Sequence, residues 1–136
     1  MQAIEEVHVV PLGYEHDRIL SLIHKHDADI VYLLADAHHD RDLTPYQEAL
    51  VDELESDCRT VEFRMVDLGD VYDVLAVVTT VTAEHAADVV RVNVSSGGKL
   101  TAIGSAIACM ATDATPYYVH VEEHVPNPET QPRTRG

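Results

Sequence analysis

The sequence is short of lysine: Lys25 and Lys99 stand alone in 136 residues, beside seven arginines. Nine basic residues face 24 acidic ones, a formal net charge of −15 with a pI near 4.7. A surface of that sign repels phosphate backbones, which excludes non-specific duplex binding by the domain as a whole. Cysteine is scarce too. Cys58 and Cys109 cannot complete a zinc site alone, and both fall in helical patterns, where small buried hydrophobes in a reducing cytoplasm are expected. No apolar run approaches ~18 residues. The start, Met1-Gln2-Ala3-Ile4-Glu5-Glu6, has neither the basic region nor the hydrophobic segment of a secretory signal. These absences predict a soluble, cytoplasmic chain with no membrane partner.

What is present suits one domain. At 15.0 kDa and 46% hydrophobic, the chain can bury roughly two-thirds of its unfolded surface. Abundant acid with almost no lysine looks like the composition of halophilic archaeal proteins, which work where the Debye length falls to about 3 Å and self-repulsion is screened.

Short apolar runs alternate with helical periods. Val7-His8-Val9-Val10 predicts a buried strand ending at Pro11-Leu12-Gly13, followed by a helix carrying Ile19, Leu22, Ile23 and His26. A second strand covers residues 30–35, closed by Asp36. Thr44 as N-cap and Pro45 as first helical residue open a helix to about Cys58. Residues 60–66 alternate as an edge or half-exposed strand. A helix from Asp70 carries Val71, Val74, Leu75, Val78 and Val81, although Val77 to Thr82 also has β propensity. Residues 89–94 predict strand four. Residues 98–113 predict a helix with Leu100, Ile103, Ile107 and Met110 on one face, and residues 117–121 predict strand five. The Pro-rich stretch 125–136 reads as a linker or frayed end. Such alternation implies an α/β, Rossmann-like three-layer sandwich with a mostly parallel sheet of five or six strands.

In that architecture ligands bind outside the carboxyl ends of the strands, near the topological switch point. Three loops qualify: residues 12–17, 36–42 and 95–99. The last is the sharpest, because Ser95-Ser96-Gly97-Gly98 joins a strand to a helix opened by one of the two lysines. Inward backbone N–H groups, a helix N-terminus and Lys99 together suit an anion, phosphate above all. A tight strand-to-helix turn with a solvated lysine would have the same sequence. The helix behind it is small-sided (Ala102, Gly104, Ser105, Ala106, Ala108, Ala111), and Gly104 implies a close backbone approach, to its own sheet or to another subunit.

Other motifs are weaker. The loop at Gly13 lacks two glycines of a dinucleotide fingerprint, so Asp36 as a ribose-binding acid has little support. His24, His26, His38 and His39 have no zinc-ligand spacing, and a solvated loop explains His38-His39-Asp40 better than a metal does. His8 and His120, on strands, are expected in the core or hydrogen-bonded. No nucleophile–base signature is visible. No catalytic residue, metal or cofactor is predicted.

Asn93-Val94-Ser95-Ser96-Gly97-Gly98-Lys99 resembles the strand-four loop of CRISPR-associated Rossmann-fold (CARF) domains, whose pattern runs roughly Asn-Ile-Ser-Gly-Gly-Thr-Lys. The small-residue helix from Leu100 looks alike, and residues 7–18 are similar to the family's other ligand-contacting segment. The nearest form resembles the sensor half of haloarchaeal transcriptional regulators that carry a winged helix after the CARF domain. The resemblance implies a homodimer binding a cyclic oligoadenylate across its two-fold axis, each protomer using the same loops. It implies that Lys99 meets a phosphate, that the backbone of Ser95, Ser96, Gly97 and Gly98 lines the ring, and that Tyr14, His16 or Arg18 reaches bases or ribose, with Gly13 and Asn93 also among the ligand-binding residues. DNA would be contacted only through a separate domain following residues 125–136. This sequence departs from the pattern at Ser96, where a glycine is usual, and at Gly98, where a hydroxyl residue is usual. The second departure argues against cleavage of the ligand, the activity of a ring nuclease.

Overall fold

The computed structural model describes residues 3–12, 16–37 and 43–119, with the backbone alone at 16–18. Strands and helices alternate along it: β1 (Glu6–Pro11), α1 (His16–Lys25), β2 (Ile30–Asp36), α2 (Pro45–Ser56), β3 (Thr60–Val66), α3 (Val71–Glu84), β4 (Val89–Asn93), α4 (Lys99–Ala111) and β5 (Thr115–Tyr117). All strand pairs are parallel, in the order β3-β2-β1-β4-β5. The fold is the expected α/β Rossmann-like sandwich, with five strands among the described residues.

Two apolar clusters flank the sheet. Val10, Val31 and Leu33 pack with Ile19, Leu20 and Ile23 of α1 and Leu50 and Leu54 of α2. Val7, Val9, Tyr32, Leu34, Val90 and Val92 face the other way, against Val74, Val78 and Val81 of α3 and Ala108 and Cys109 of α4. The period of two in β1 and β2 thus feeds both layers. Helix starts follow local chemistry. Thr44 makes a capping box with Gln47 ahead of Pro45, and the Asp70 carboxylate accepts from the Tyr72 and Asp73 amides. The β-prone stretch in α3 is helical because Thr79, Thr80 and Thr82 return their hydroxyls to carbonyls one turn back, while Val78 and Val81 are buried.

Two expectations are corrected. Strand five is Thr115–Tyr117, two residues earlier than residues 117–121; its end is set where the Val94 amide donates to the Tyr117 carbonyl, after which the Val119 amide turns to Ser95 Oγ. His120 and residue 121 lie outside the described residues. Cys58 is exposed rather than buried: α2 stops at Ser56, and Cys58 takes a left-handed φ of 66° beyond the Asp57 cap. In α4 the apolar residues expected on one face do share one, but it faces outward: the buried side is the small one (Thr101, Gly104, Ser105, Ala108, Cys109), while Leu100, Ile103, Ile107 and Met110 are exposed.

Gly104 explains that inversion. A Cβ there would lie 2.7 Å from the Val71 carbonyl oxygen and 2.9 Å from Val74 Cβ. The close approach anticipated for this glycine is therefore made to α3 of the same chain. Two helices that near can bury only small side chains between them, so the larger apolar ones turn outward. Among the described residues no helix is long and apolar enough to cross a membrane.

Candidate functional site

The strand order reverses between β1 and β4, and the helices that follow them, α1 and α4, pack on opposite faces of the sheet, the topology that forms a crevice at the carboxyl ends of such strands. The β4–α4 loop is built around Asn93, which is fully buried. Its Oδ1 accepts from the Ser95 amide at 2.8 Å, the Ser95 hydroxyl at 2.6 Å and the Ser96 amide at 3.2 Å. This Asx-type turn folds the chain back on the end of the strand.

Both serines are committed to the scaffold. Ser96 Oγ donates to the Pro11 carbonyl at 2.9 Å, tying the loop to the end of β1, and Ser95 Oγ accepts from the Val119 amide at 3.1 Å. Gly97 sits at φ 87°, where a Cβ would come 3.0 Å from Pro11 Cβ and 3.2 Å from Thr101 Cγ2. Glycine is required there on both counts, backbone conformation and room. Gly98 is the N-cap of α4 with no side-chain cap bond, and a Cβ on it would meet open space. Thr101, in the first turn, donates to the Leu68 carbonyl at 2.9 Å and locks the helix start onto the β3–α3 loop.

The six predicted loop residues thus divide in two. Asn93, Ser95 and Ser96 are buried and build the turn; Gly97, Gly98 and Lys99 are exposed and present it. The exposed part offers the uncapped N–H groups of α4, its positive dipole end and the Lys99 ammonium, the elements of an anion site. Gly13 and Tyr14 lie outside the described residues. His16 and Arg18 are placed in α1 by their backbone, with side chains outside the described set. Asp36 ends β2, separated from the β4 loop by β1, so the two do not share a crevice. His38, His39 and Asp40 also lie outside the described residues. Among those described, no group of three or more His, Cys, Asp or Glu converges as metal ligands.

Of the polar side chains under this loop, the sequence singled out His8, expected in the core or hydrogen-bonded as it is found, but not Glu6 or Arg91. His8 is fully buried; its Nε2 meets Glu6 Oε2 at 3.1 Å and its Nδ1 the Tyr117 hydroxyl at 3.3 Å. Glu6 Oε2 also accepts from Arg91 Nε. Burial holds the His8 imidazole below its usual pKa, against the pull of Glu6. Burial works against the Glu6 carboxylate as well, but hydrogen bonds from Arg91 and His8 outweigh it and keep Glu6 below the usual range. Burial pushes the Tyr117 phenol upward. A period-two match, Glu6/His8 with Arg91/Asn93, was the available signal for this cluster. At the opposite end of the sheet a depression of about 400 Å³ lies between the ends of α3 and α4. There His85 joins Asp88 at 2.9 Å to the Tyr32 hydroxyl at 2.7 Å.

A Rossmann-like α/β domain with an exposed Gly-Gly-Lys turn at its switch point is the class this fold and site define. Residues 6–124 match the model of the family described as "HFX_2341_N:-like, N-terminal", and the chain belongs to that family. No curated protein matches it. Among solved structures, the fold resembles Can2 from Sulfobacillus thermosulfidooxidans in complex with cyclic tetra-adenylate (TM-score 0.69, 13% identity, 85% of this chain and 32% of that one). It is similar to Enterococcus italicus Csm6 bound to cyclic hexa-2′-fluoro-hexa-dAMP (TM-score 0.67, 13% identity, 88% and 35%). A type III CRISPR defence DNA nuclease activated by cyclic oligoadenylate is also similar (TM-score 0.65, 16% identity, 88% and 19%). The chain spans about a third or less of each of these proteins.

Proposed function

We propose that this chain is a CARF-type sensor domain that binds a cyclic oligoadenylate as a homodimer and regulates transcription through an attached DNA-binding domain. The observation that carries the reading is the Asn93-ordered loop, which sets Gly97, Gly98 and Lys99 at the mouth of the switch-point crevice. Phosphates of the ring would take the α4 N–H groups and Lys99. Tyr14, His16 or Arg18, which follow β1 in the sequence with Gly13, would take bases or ribose. The neighbours in complex with cyclic tetra-adenylate and with a cyclic hexanucleotide analogue support this ligand class. Residues 1–124, of which 6–124 match the family model, form the sensor, and residues 125–136, with Pro126, Pro128 and Pro132, serve as the linker.

The second copy docks on α4. This helix, KLTAIGSAIACMA, contains no Asp or Glu in a chain of net charge −15, and it exposes Leu100, Ile103, Ile107 and Met110. Two acidic copies associate most easily where neither presents a carboxylate, and a contiguous exposed apolar strip is where burial contributes. Binding rather than cleavage fits the loop, because the Ser96 hydroxyl is engaged with the Pro11 carbonyl and position 98 has no hydroxyl.

The test is a thermal-shift and calorimetric titration in molar KCl with cyclic tetra-adenylate, cyclic hexa-adenylate, ATP and NAD. A specific ligand at a hundred times its Kd adds about 2.7 kcal/mol of stability. One ring per two chains, with binding lost in Lys99→Ala and a monomeric Ile103→Glu/Ile107→Glu variant, is the expected result. A folded dimer that ignores both cyclic ligands retires the reading.

A further inference from the structure

The groups beneath the loop form one directional chain of hydrogen bonds. Glu6 and His8 on β1 and Arg91 and Asn93 on β4 are each two residues apart, and His8 stands in register with Arg91 and Asn93 with Tyr117. All five side chains therefore share one face of the sheet. Donor and acceptor roles follow from the end that cannot vary. Arg91 donates to the Glu6 carboxylate, and a carboxylate only accepts, so the proton of His8 is on Nε2, toward Glu6. Nδ1 is then a bare acceptor and takes the Tyr117 O–H at 3.3 Å. With its proton committed, the Tyr117 oxygen is left as an acceptor for the Asn93 side chain, its register partner on the same face of the sheet. That partner is the amide NH2, because Asn93 Oδ1 is taken up by Ser95 and Ser96. The two ends of the carboxamide are thus distinguished, and the loop receives the oxygen.

From this geometry we infer that Tyr117 and His8 are positioning residues for the ligand loop, which hold the Asn93 carboxamide in the one orientation that folds residues 95–96 and make ligand binding fall with acid pH. The inference rests on the reading of residues 95–99 as the ligand loop. A second proton on His8 would go to Nδ1, setting a donor against the Tyr117 O–H. The hydroxyl would have to turn its proton toward the Asn93 amide, again donor against donor, and the carboxamide would lose its anchor. The groups facing His8 among the described residues are Glu6 on β1, Arg91 on β4, Tyr117 on β5 and His26 after α1, whose ring centre is 6.0 Å away. Glu6 favours the added proton and Arg91 and His26 oppose it. The sign is diagnostic, since an added positive charge alone would strengthen binding of an anion.

The experiment is amide hydrogen exchange of the ligand-free chain at pH 7 and 5.5, with affinity for cyclic tetra-adenylate measured in parallel. Wild type and Tyr117→Phe are compared, and Val9 and Val92 serve as core references. Protection of the Ser95 and Ser96 amides should fall about tenfold in wild type at pH 5.5. In Tyr117→Phe it should already be low at pH 7 and respond little to pH, with Val9 and Val92 unchanged. Affinity should follow the same pattern. Equal Ser95 and Ser96 protection in the two proteins, with an equal response to pH, overturns the relay even if the nucleotide binds. Loss of protection with no nucleotide binding upholds the relay and overturns the ligand assignment.

Discussion

Replacing Gly97 by alanine tests the loop geometry most directly, and Gly98→Ala supplies its control one residue away. At Gly97 the left-handed φ of 87° costs an alanine about 1–2 kcal/mol. The new Cβ, 3.0 Å from Pro11 Cβ and 3.2 Å from Thr101 Cγ2, adds up to about 1 kcal/mol of crowding between groups fixed by β1 and by α4. Stiffening the unfolded chain returns roughly 0.4–1 kcal/mol. The net loss is about 1–2 kcal/mol, and for a chain of this size Tm should drop by about 3–7 °C. At Gly98 the backbone is extended (φ −119°, ψ −174°) and the Cβ meets nothing. There the entropy gain offsets an N-cap cost of roughly half a kcal/mol, so Tm should stay within about 2 °C. Differential scanning calorimetry of the two variants decides. A Gly97→Ala protein that melts with wild type, or two variants that fall together, would refute the left-handed turn and with it the placement of Lys99.

Gly104→Ala should destabilise by about 1–3 kcal/mol despite a helix-propensity gain near 1 kcal/mol, because its Cβ would meet the Val71 carbonyl at 2.7 Å; urea titration would read this as a lower midpoint. Stability should decline as pH falls below about 6.5, since the unfolded chain protonates at His8 before the folded one does, and decline again below about 4.5 as Glu6 follows. Melts from pH 7 to 4 should show both steps, with His8→Gln removing the first. Of the two thiols, a disulfide reagent at pH 8 should modify Cys58 at once and spare Cys109, which burial holds at about 11; equal rates would contradict the packing of α4.

Local signals carried a good part of this protein. Thr44-Pro45 and Asp70 start helices by satisfying free N–H groups within three residues, a property of short sequence alone. The continuous apolar runs of β1 and β2 announced strands buried on both faces, hence a parallel sheet, and Gly97-Gly98-Lys99 announced an exposed turn into a helix. Where β5 begins was not legible, because its three residues pair only through β4. Composition and periodicity determined that the chain is an α/β domain with a candidate anion loop.

Only tertiary structure decided what that loop rests on and which side of α4 is free. A helical stripe of Leu100, Ile103, Ile107 and Met110 reads as core in one dimension; it lies outside because Gly104 lets α3 come too near for large side chains. Asn93 reads as a ligand contact, yet it is the buried cap of its own loop, held from β5 by Tyr117 and through that from β1 by His8. Those partners are 24 and 85 residues away in sequence. Parallel strands bring them together, and no local pattern records which side chains a parallel sheet will place side by side.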